Sequence, residues 1–167
     1  MKDLLSKVLD DILANVPKEK IDERVSLFKR NMHLLSYEVM ANPIGVKGIG
    51  KYISKDSETS FAKYKKGAPV HVKAAINYNS LIDHWYEGKR YEKISNGTKI
   101  KWVYLKENTF GFDAIAFKGH EDPREILELI KNHIDHNKMY EQAMSKKLGM
   151  FYKAMHWGGV EDKTTSM

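Results

Sequence analysis

Hydrophobic positions near the start of the chain recur at three- and four-residue steps, which is the spacing of amphipathic helices. This pattern predicts a first helix over Lys2–Asn15, and Pro17 either breaks this helix or starts the next one. Apolar positions at the same spacing predict a second helix between Ile21 and Leu35, with acidic residues early and basic residues late. The two segments together predict a helical hairpin with a structural role.

The pattern in the middle of the chain changes from helix to strand. Residues 72–85 place apolar side chains on one helical face, and residues 99–104 (KIKWVY) then alternate as in a half-buried strand. Residues 113–117 (DAIAF) predict a partner strand. Asn96 and Gly97 predict a two-residue hairpin turn, in which both positions need a positive φ.

Glycine and proline mark the irregular segments. The stretch ANPIGVKGIGKY (41–52) predicts a loop or an irregular strand. Farther on, Pro123 predicts a helix start, and Asp135 predicts the cap of a last helix. The fold class expected is α+β, with helices at both ends around a small antiparallel sheet. Residues 1–157 are expected to form one domain, and residues 158–167 a flexible tail.

Composition agrees with a soluble globular domain, because 42% of the 167 residues are hydrophobic and 30% are charged. No apolar run approaches the roughly 20 residues that a membrane span needs. Acidic residues interrupt the apolar pattern of the N-terminus MKDLLSKVLDDIL, unlike a secretory signal. The chain has no Cys, which excludes disulfides and thiolate chemistry and agrees with a reducing cytosol.

The positive charge is concentrated in the middle third of the chain. Residues 47–106 contain thirteen basic and five acidic residues, a net charge of +8, whereas the preceding and following segments carry 0 and −2. Such a local basic field is typical of a polyanion-binding face, although a solvated lysine-rich surface would have the same composition. Aromatic residues interleave with the basic ones. They suggest stacking on unpaired bases, but packing in the core is the simpler interpretation.

One stretch within this region, KYKKGAPVHVK (63–73), combines a turn with the start of a helix. Lys65, Lys66 and Lys73 flank that helix start, where free backbone N–H groups and the helix dipole favour an anion. Phosphate is the natural occupant. Binding through such contacts is expected to be independent of base sequence and sensitive to salt.

Two other candidate sites are weaker. Asp56 and Glu58 have the spacing of a metal-binding nuclease motif, but their polar surroundings offer no rigid apolar strand to hold them. His133 and His136 stand three residues apart and could place two imidazoles on one helical face. No third ligand is evident beside them, and we therefore predict no metal or catalytic residue in this chain.

Four segments occur in the following order along the chain: LSYEVMANPIGVKGIGKY, KYKKGAPVHVKAAINYN, NGTKIKWVYLKENTF and IDHNKMYEQAMSKKLGMFYKAMHW. They resemble the C-terminal region of family B DNA polymerases from large tailed phages. That region is the thumb, which grips the primer–template duplex behind the active site. The resemblance covers about Leu4 to Trp157, and its most specific part is KGAPVHVKAAINYN.

The resemblance implies that the chain grips DNA and does not itself contain a reaction centre. The family's thumb holds duplex phosphates with basic side chains and backbone groups. The matching positions here are Lys51, Tyr52, Lys66, His71, Lys73, Lys106 and Lys146. All except Lys146 lie in the basic region. His71 is open to two interpretations: it contacts DNA, or it only fixes the turn by a hydrogen bond to the backbone.

The chain also departs from the family. The palm motifs DxxSLYP and YGDTD, any Asp-x-Asp pair and the exonuclease carboxylates are missing from the sequence, so two-metal nucleotidyl transfer is not expected from this chain by itself. Mg²⁺ is expected in a partner chain that bears palm, fingers and exonuclease. The ending VEDKTTSM differs from the aromatic and aliphatic peptide with which related polymerases dock on the sliding clamp, so clamp binding through the tail is not predicted.

Met1 stands almost where the family's thumb begins, which suggests a polymerase encoded in pieces or an excised fragment. The resulting hypothesis is the thumb of a split phage polymerase, acting in DNA replication in the cytoplasm of the infected bacterial host. The alternative is a free-standing, non-catalytic nucleic-acid-binding accessory protein. A third interpretation, a purely structural interaction module, requires the basic region to be incidental.

Overall fold

The computed structural model describes residues 2–53, 64–86 and 90–159. They fall into two compact units. Unit 1 is built from the two ends of the chain, up to Val39 and from His136 onward, whereas unit 2 contains the middle, Met40–Asp135. No helix among the described residues is both long and apolar enough to cross a membrane.

Unit 1 is helical and contains the predicted hairpin. The second helix starts before Ile21 and stops earlier than predicted, because the chain tightens into a 3₁₀ turn at Met32–Leu34. The last helical run is continuous but contains a five-residue π segment. The elements are α1 (Lys2–Leu13), α2 (Lys18–Asn31), the 3₁₀ turn, α7 (His136–Tyr140), the π segment (Glu141–Ser145) and α8 (Lys146–Ala154). The short helix α3 (Tyr37–Met40) ends at the boundary between the units.

The apolar faces of these helices bury one core cluster in unit 1, which contains Leu4, Val8, Ile21, Val25, Met32, Tyr140, Met144, Leu148 and Tyr152. Asp22 is buried beside this cluster with only 4% of its surface exposed. Its carboxylate accepts a hydrogen bond from the Tyr152 hydroxyl and lies 2.7 Å from the Lys18 ammonium nitrogen. The buried charge is therefore both hydrogen-bonded and paired, as such charges generally must be.

Unit 2 consists of a three-stranded antiparallel sheet and helices, which confirms the predicted α+β class. The sheet has the order β1 (Asn42–Gly45), β2 (Lys99–Tyr104), β3 (Ala114–Phe117). Asn42 and Ala116 both pair with Trp102, one from each side. The helices of this unit are α4 (Ile49–Tyr52), α5 (Val70–Tyr86) and α6 (Arg124–His133).

The predicted hairpin at Asn96 and Gly97 is wrong. A turn is present, because the Thr98 N–H donates to the Ser95 carbonyl at 3.1 Å, but only Gly97 has a positive φ, of 89°. Strand β2 pairs instead with β1, from far upstream, and with β3. Ile94 precedes the turn and cannot pair with a neighbouring strand. The Asn79 side chain binds both the N–H and the carbonyl of Ile94, at 2.7 and 2.9 Å.

More residues of the sheet are buried than the alternating pattern of β2 predicted. Ile100 and Trp102 are buried as expected, but Val103 on the opposite face is also fully buried. All four residues of β3 are buried. Helix α5 packs against this strand, and the Asn77 amide donates to the Ala114 carbonyl at 2.8 Å. The Tyr78 hydroxyl donates to Asp122 at 2.9 Å.

Candidate nucleic-acid interface

Two lysine-containing segments of unit 2 meet through their backbones. Ile53 and Tyr64 form an antiparallel bridge, and the Lys65 N–H donates to the Tyr52 carbonyl at 2.7 Å. This hydrogen bond joins the end of α4 to the segment before α5. Lys51 and Tyr52 are therefore brought beside Lys65, although the sequence separates them by more than a dozen residues.

The predicted turn before α5 is present. The Ala68 N–H donates to the Lys65 carbonyl at 3.3 Å, and Gly67 adopts a φ of +88°, a conformation that strains a residue with a side chain. Lys66 lies within this turn and is exposed. Helix α5 begins at Val70, so His71 and Lys73 belong to its first turn. We call Lys51, Tyr52, Lys65, Lys66, His71 and Lys73 the basic cluster.

Tyr64 connects this cluster to the sheet. The Lys73 ammonium nitrogen lies 5.7 Å from the centre of the Tyr64 ring. The Tyr64 hydroxyl donates to the Asn77 side-chain oxygen at 2.6 Å, and Asn77 is in turn bonded to Ala114. Burial raises the pKa of Tyr64, and the charge of Asp113 raises it further. The phenol therefore stays protonated at neutral pH and remains a donor.

Asn96 binds the start of α4. Its side-chain oxygen accepts a hydrogen bond from the Ile49 N–H at 3.0 Å, which satisfies a donor at the start of that helix. On the same helix, the Lys51 ammonium nitrogen lies 5.2 Å from the centre of the Tyr52 ring. The turn at Asn96 and Gly97 thus supports the cluster, although it does not form a hairpin.

The lysines of the cluster have no ion-pair partner in the part of the chain that the structure describes. Among the residues that the structure describes, none lies within ion-pair distance of Lys51, Lys65, Lys66 or Lys73. By contrast, Lys93 of the same basic region lies 2.9 Å from Asp83. The ammonium groups of the cluster can therefore meet an incoming anion without first breaking an ion pair.

His71 is half-buried on α5, and loss of solvation lowers its pKa below the usual value of 6.5. The imidazole is therefore neutral at pH 7. It makes no hydrogen bond with any described residue, so the structure shows no bond from His71 that would fix the turn. At neutral pH His71 adds no positive charge to the cluster.

The other two predicted binding residues, Lys106 and Lys146, lie outside the segments that form the cluster. Lys106 follows β2 in unit 2; it is exposed, and its backbone N–H donates to the His133 carbonyl at 2.6 Å. Lys146 is the exposed first residue of α8, in unit 1. Seven of the eight predicted binding residues therefore lie in unit 2.

The weaker candidates can be placed only in part. Asp56 and Glu58 lie outside the described residues. Helix α6 ends at His133 and α7 begins at His136, so the two imidazoles do not share one helical face. Within the described ranges, no group of three His, Asp or Glu side chains could hold a metal ion.

Most of the aromatic side chains of the basic region pack against other rings or within the core. Tyr78 is fully buried, Trp102 is 8% exposed, and Trp85 packs edge-on against Phe110. Packing was the simpler interpretation, and it holds for these three residues. Tyr52 and Tyr64 differ, because each presents its ring to a lysine of the cluster.

Sequence reasoning missed the amides that position the cluster. Asn77 and Asn79 lie on α5 in the stretch INYN, and Asn96 lies in the turn before β2. A signal was present: an amide inside an apolar helical stretch must find a partner beyond its own helix when it is buried. The partners themselves, Tyr64, Ile94 and Ile49, cannot be read from spacing.

Comparison with protein-family models and with curated proteins found no match to this chain.

Proposed function

We propose that this chain binds duplex DNA by its phosphates through the basic cluster, as the thumb portion of a split family B phage DNA polymerase. The observation that supports this most is the hydrogen bond between Lys65 and Tyr52. It joins the motif GKY (50–52) to Lys65, the residue directly before the motif KGAPVHVK (66–73), and each motif separately resembles part of a thumb. Motifs that resemble one binding surface are thereby neighbours in space.

The chemistry of the cluster suits a phosphate backbone. Its lysines have no ion-pair partner among the described residues, and two of them, Lys65 and Lys66, belong to the turn before the N-terminus of α5. Such an end favours anions through its free N–H groups and its dipole. Contacts of this kind position a duplex without reading its bases, as a polymerase needs when it slides along newly made DNA.

Under this proposal the chain holds the DNA duplex, and another polypeptide catalyses nucleotidyl transfer. The sequence contains no Asp-x-Asp pair for metal-dependent nucleotidyl transfer. A partner with palm, fingers and exonuclease would hold the Mg²⁺ ions, in the cytoplasm of the infected bacterial host. By holding the duplex behind the active site, the thumb would lower the rate at which the polymerase dissociates and so raise processivity.

A salt titration with a short DNA duplex tests phosphate gripping. If each lysine of the cluster and Lys106 contacts one phosphate, a plot of log affinity against log salt should have a slope of roughly −4 to −5. Two duplexes of unrelated sequence should give the same slope and similar affinities. A flat response between low and moderate salt would contradict the proposal.

A second experiment separates the thumb from a free-standing accessory protein. The palm-bearing chain is co-expressed with this protein, purified and assayed for primer extension with and without it. Stable association and longer products per binding event are expected of a thumb. Salt-sensitive DNA binding without association would favour the accessory protein.

A further inference from the structure

Unit 1 carries most of the large apolar side chains that the described part of the chain exposes to solvent. Nine such side chains are exposed, and all but Ile44 and Ile53 belong to unit 1: Leu9, Leu13, Leu27, Leu34, Val39, Met150 and Met155. Single exposed leucines are normal, whereas exposed apolar side chains beside a groove with a polar rim indicate a binding surface. Unit 1 therefore differs in character from the basic cluster of unit 2.

Leu27 borders an open groove in unit 1, which we call the apolar groove. The groove has a volume of about 310 Å³ and is lined by residues of α1, of α2 and of the segment that follows α2. Leu4 and Met32 form its floor and belong to the core cluster. Leu27 is 52% exposed, and Phe28 and Leu35 are half-buried, so apolar surface along the groove remains in contact with water.

The lining residues of α2 follow one another along a single face of that helix. Arg24, Leu27, Phe28 and Asn31 are three and four positions apart, so their side chains succeed one another turn by turn. Two residues of α1, also three positions apart, line the groove as well. A groove with helical walls is the shape into which an amphipathic helix lays the apolar side chains of one face.

The rim of the apolar groove is positively charged. Lys7 is exposed and has no ion-pair partner among the described residues. The Arg24 guanidinium donates to Asp11 through Nε, at 2.7 Å, and through Nη2, at 3.5 Å. No described Asp or Glu lines the groove. The rim therefore complements a partner that carries carboxylates beside its apolar side chains.

The arrangement of the groove matches that of a protein–protein interface, in which an apolar centre is surrounded by a polar rim. The centre consists of the apolar floor and the exposed side of Leu27. The rim consists of Lys7, Arg24 and the exposed Asn31, whose side-chain amide makes no hydrogen bond with any described residue. Polar groups that are free in this chain can thus bond to a partner without first breaking an internal contact.

We propose that the apolar groove binds an acidic amphipathic helix of the palm-bearing chain. Apolar side chains of that helix would contact Leu27 and Leu35 above the floor, and a carboxylate beside them would pair with Lys7. This inference rests on the proposed function, which requires a second polypeptide to associate with this chain. Unit 1 would then bind the partner, while the basic cluster of unit 2 binds the duplex.

The test measures the affinity of the full chain for the purified palm-bearing chain by titration calorimetry. Leu27→Glu should weaken the association at least about tenfold, because it places a carboxylate against apolar groups in the complex. Leu13→Glu is the matched control, since Leu13 is 73% exposed on α1 but does not line the groove. The control should change the affinity less than about twofold.

Lys7→Gln tests the contribution of charge. Loss of a rim charge should slow the association and make its rate less dependent on salt, an effect that a purely structural side chain would not produce. Lys20→Gln is the matched control, because Lys20 is an exposed lysine of α2 that does not line the groove. Stopped-flow measurements at low and moderate salt compare the two variants.

DNA binding by the free chain separates this inference from the proposed function. Leu27→Glu should leave the affinity for the duplex within about twofold of the wild-type value, because Leu27 and the basic cluster belong to different units. A wild-type chain that binds neither the duplex nor the palm-bearing chain would contradict the proposed function itself. Association that Leu27→Glu and Lys7→Gln both leave unaltered would overturn only the assignment of the groove.

Two further results would overturn the inference. The first is a wild-type chain that binds the duplex but does not associate with the palm-bearing chain. The second is self-association of the chain, measured by light scattering, that Leu27→Glu abolishes, because the groove would then bind a second copy. Leu27→Ala, which introduces no charge, should weaken the association in the same direction. It keeps the test valid if Leu27→Glu alters the circular dichroism spectrum.

Discussion

The ammonium nitrogen of Lys73 lies 5.7 Å from the centre of the Tyr64 ring. Because the Tyr64 hydroxyl donates to Asn77, and Asn77 donates to Ala114 in β3, this cation is connected to the sheet through one ring and one amide. A cation over a half-buried ring near the protein surface gains about 1 kcal/mol. The ring therefore restricts the position of the ammonium group without neutralising it, which leaves the charge available for a phosphate.

Tyr64→Phe should destabilise unit 2 without removing the basic cluster. The ring remains beneath Lys73, but the Asn77 oxygen, on a residue only 1% exposed, loses its donor. An unpaired buried acceptor costs about 1–3 kcal/mol in the free energy of unfolding. Urea denaturation measures this loss, and DNA affinity under conditions where both proteins are folded should change less than about twofold. A variant as stable as the wild type would show that the bond to Asn77 contributes nothing.

Lys73→Ala should weaken duplex binding without unfolding the domain. Loss of one phosphate contact should make the slope of log affinity against log salt less steep by about 0.9. The double change of Lys65 and Lys66 to Ala should have about twice this effect. Lys93→Ala is the matched control, because Lys93 is already paired with Asp83. The interpretation of the cluster is wrong if Lys73→Ala unfolds the domain while the double variant binds normally.

The pKa of His71 should lie below 6.5, because partial burial removes solvent from the charged imidazolium. Protonation is then easier in the unfolded state, so the contribution of a neutral His71 to stability is present above pH 6.5. That contribution is lost as the pH falls below 6.5 toward the lowered pKa of the folded state. A proton NMR titration, with His71→Gln to assign the signal, measures the midpoint.

His71→Gln should also leave DNA affinity at pH 7.5 within about twofold of the wild-type value, since a neutral imidazole forms no ion pair with phosphate. A tenfold loss at that pH would instead assign His71 a direct contact with DNA. A midpoint above 6.5 would contradict the desolvation argument.

Tyr78 and Tyr152 should ionise only as the chain unfolds. Burial raises the pKa of both phenols above 10, and the carboxylates of Asp122 and Asp22, to which they donate, raise it further. A raised pKa in the folded state means that this stabilisation is present below pH 10 and is lost as the pH rises above it. Phenolate absorbance and urea midpoints from about pH 8 to about pH 12 measure the effect.

Tyr152→Phe provides the check on this prediction. It should lower the free energy of unfolding near pH 7 by about 1–3 kcal/mol, because the buried Asp22 carboxylate loses its hydroxyl donor. The variant should also have a smaller loss of stability above pH 10 than the wild type. Equal losses in both proteins would show that Tyr152 ionises while the chain stays folded.

The helices were largely predictable because their signals are local. The predicted helices over residues 2–15 and 72–85 correspond to α1, Lys2–Leu13, and α5, Val70–Tyr86. Each prediction depends on side chains three or four positions apart, and those neighbours are visible in the sequence. The π segment at Glu141–Ser145 has no such local signal, and the sequence predicted an uninterrupted helix there.

The sheet was predicted only in outline, because strand partners are chosen over long distances. Residues 99–104 and 113–117 were correctly expected to pair. Strand β1 lies more than fifty residues before β2, and the residue pattern of β1 does not indicate that β2 is its partner. The Asn-Gly pair favoured a hairpin instead. A hairpin needs a strand before the turn, and Ile94 cannot belong to one because its N–H and carbonyl are bonded to Asn79.

By itself the sequence determined roughly where the long helices lie, where charge accumulates, and that Lys65, Lys66 and Lys73 flank a turn and a helix start. It did not predict the short helix α4, which lies in the stretch 41–52 that was expected to be a loop or an irregular strand. The features that it determined are properties of residues that stay close along the chain in any conformation. Only the tertiary structure decided that Tyr52 binds Lys65, that Asn77 is the partner of Tyr64, and that Lys146 belongs to a different unit from the other predicted binding residues. Those relationships depend on closing long loops and burying polar groups with partners, and the free energy of both is set by the whole fold.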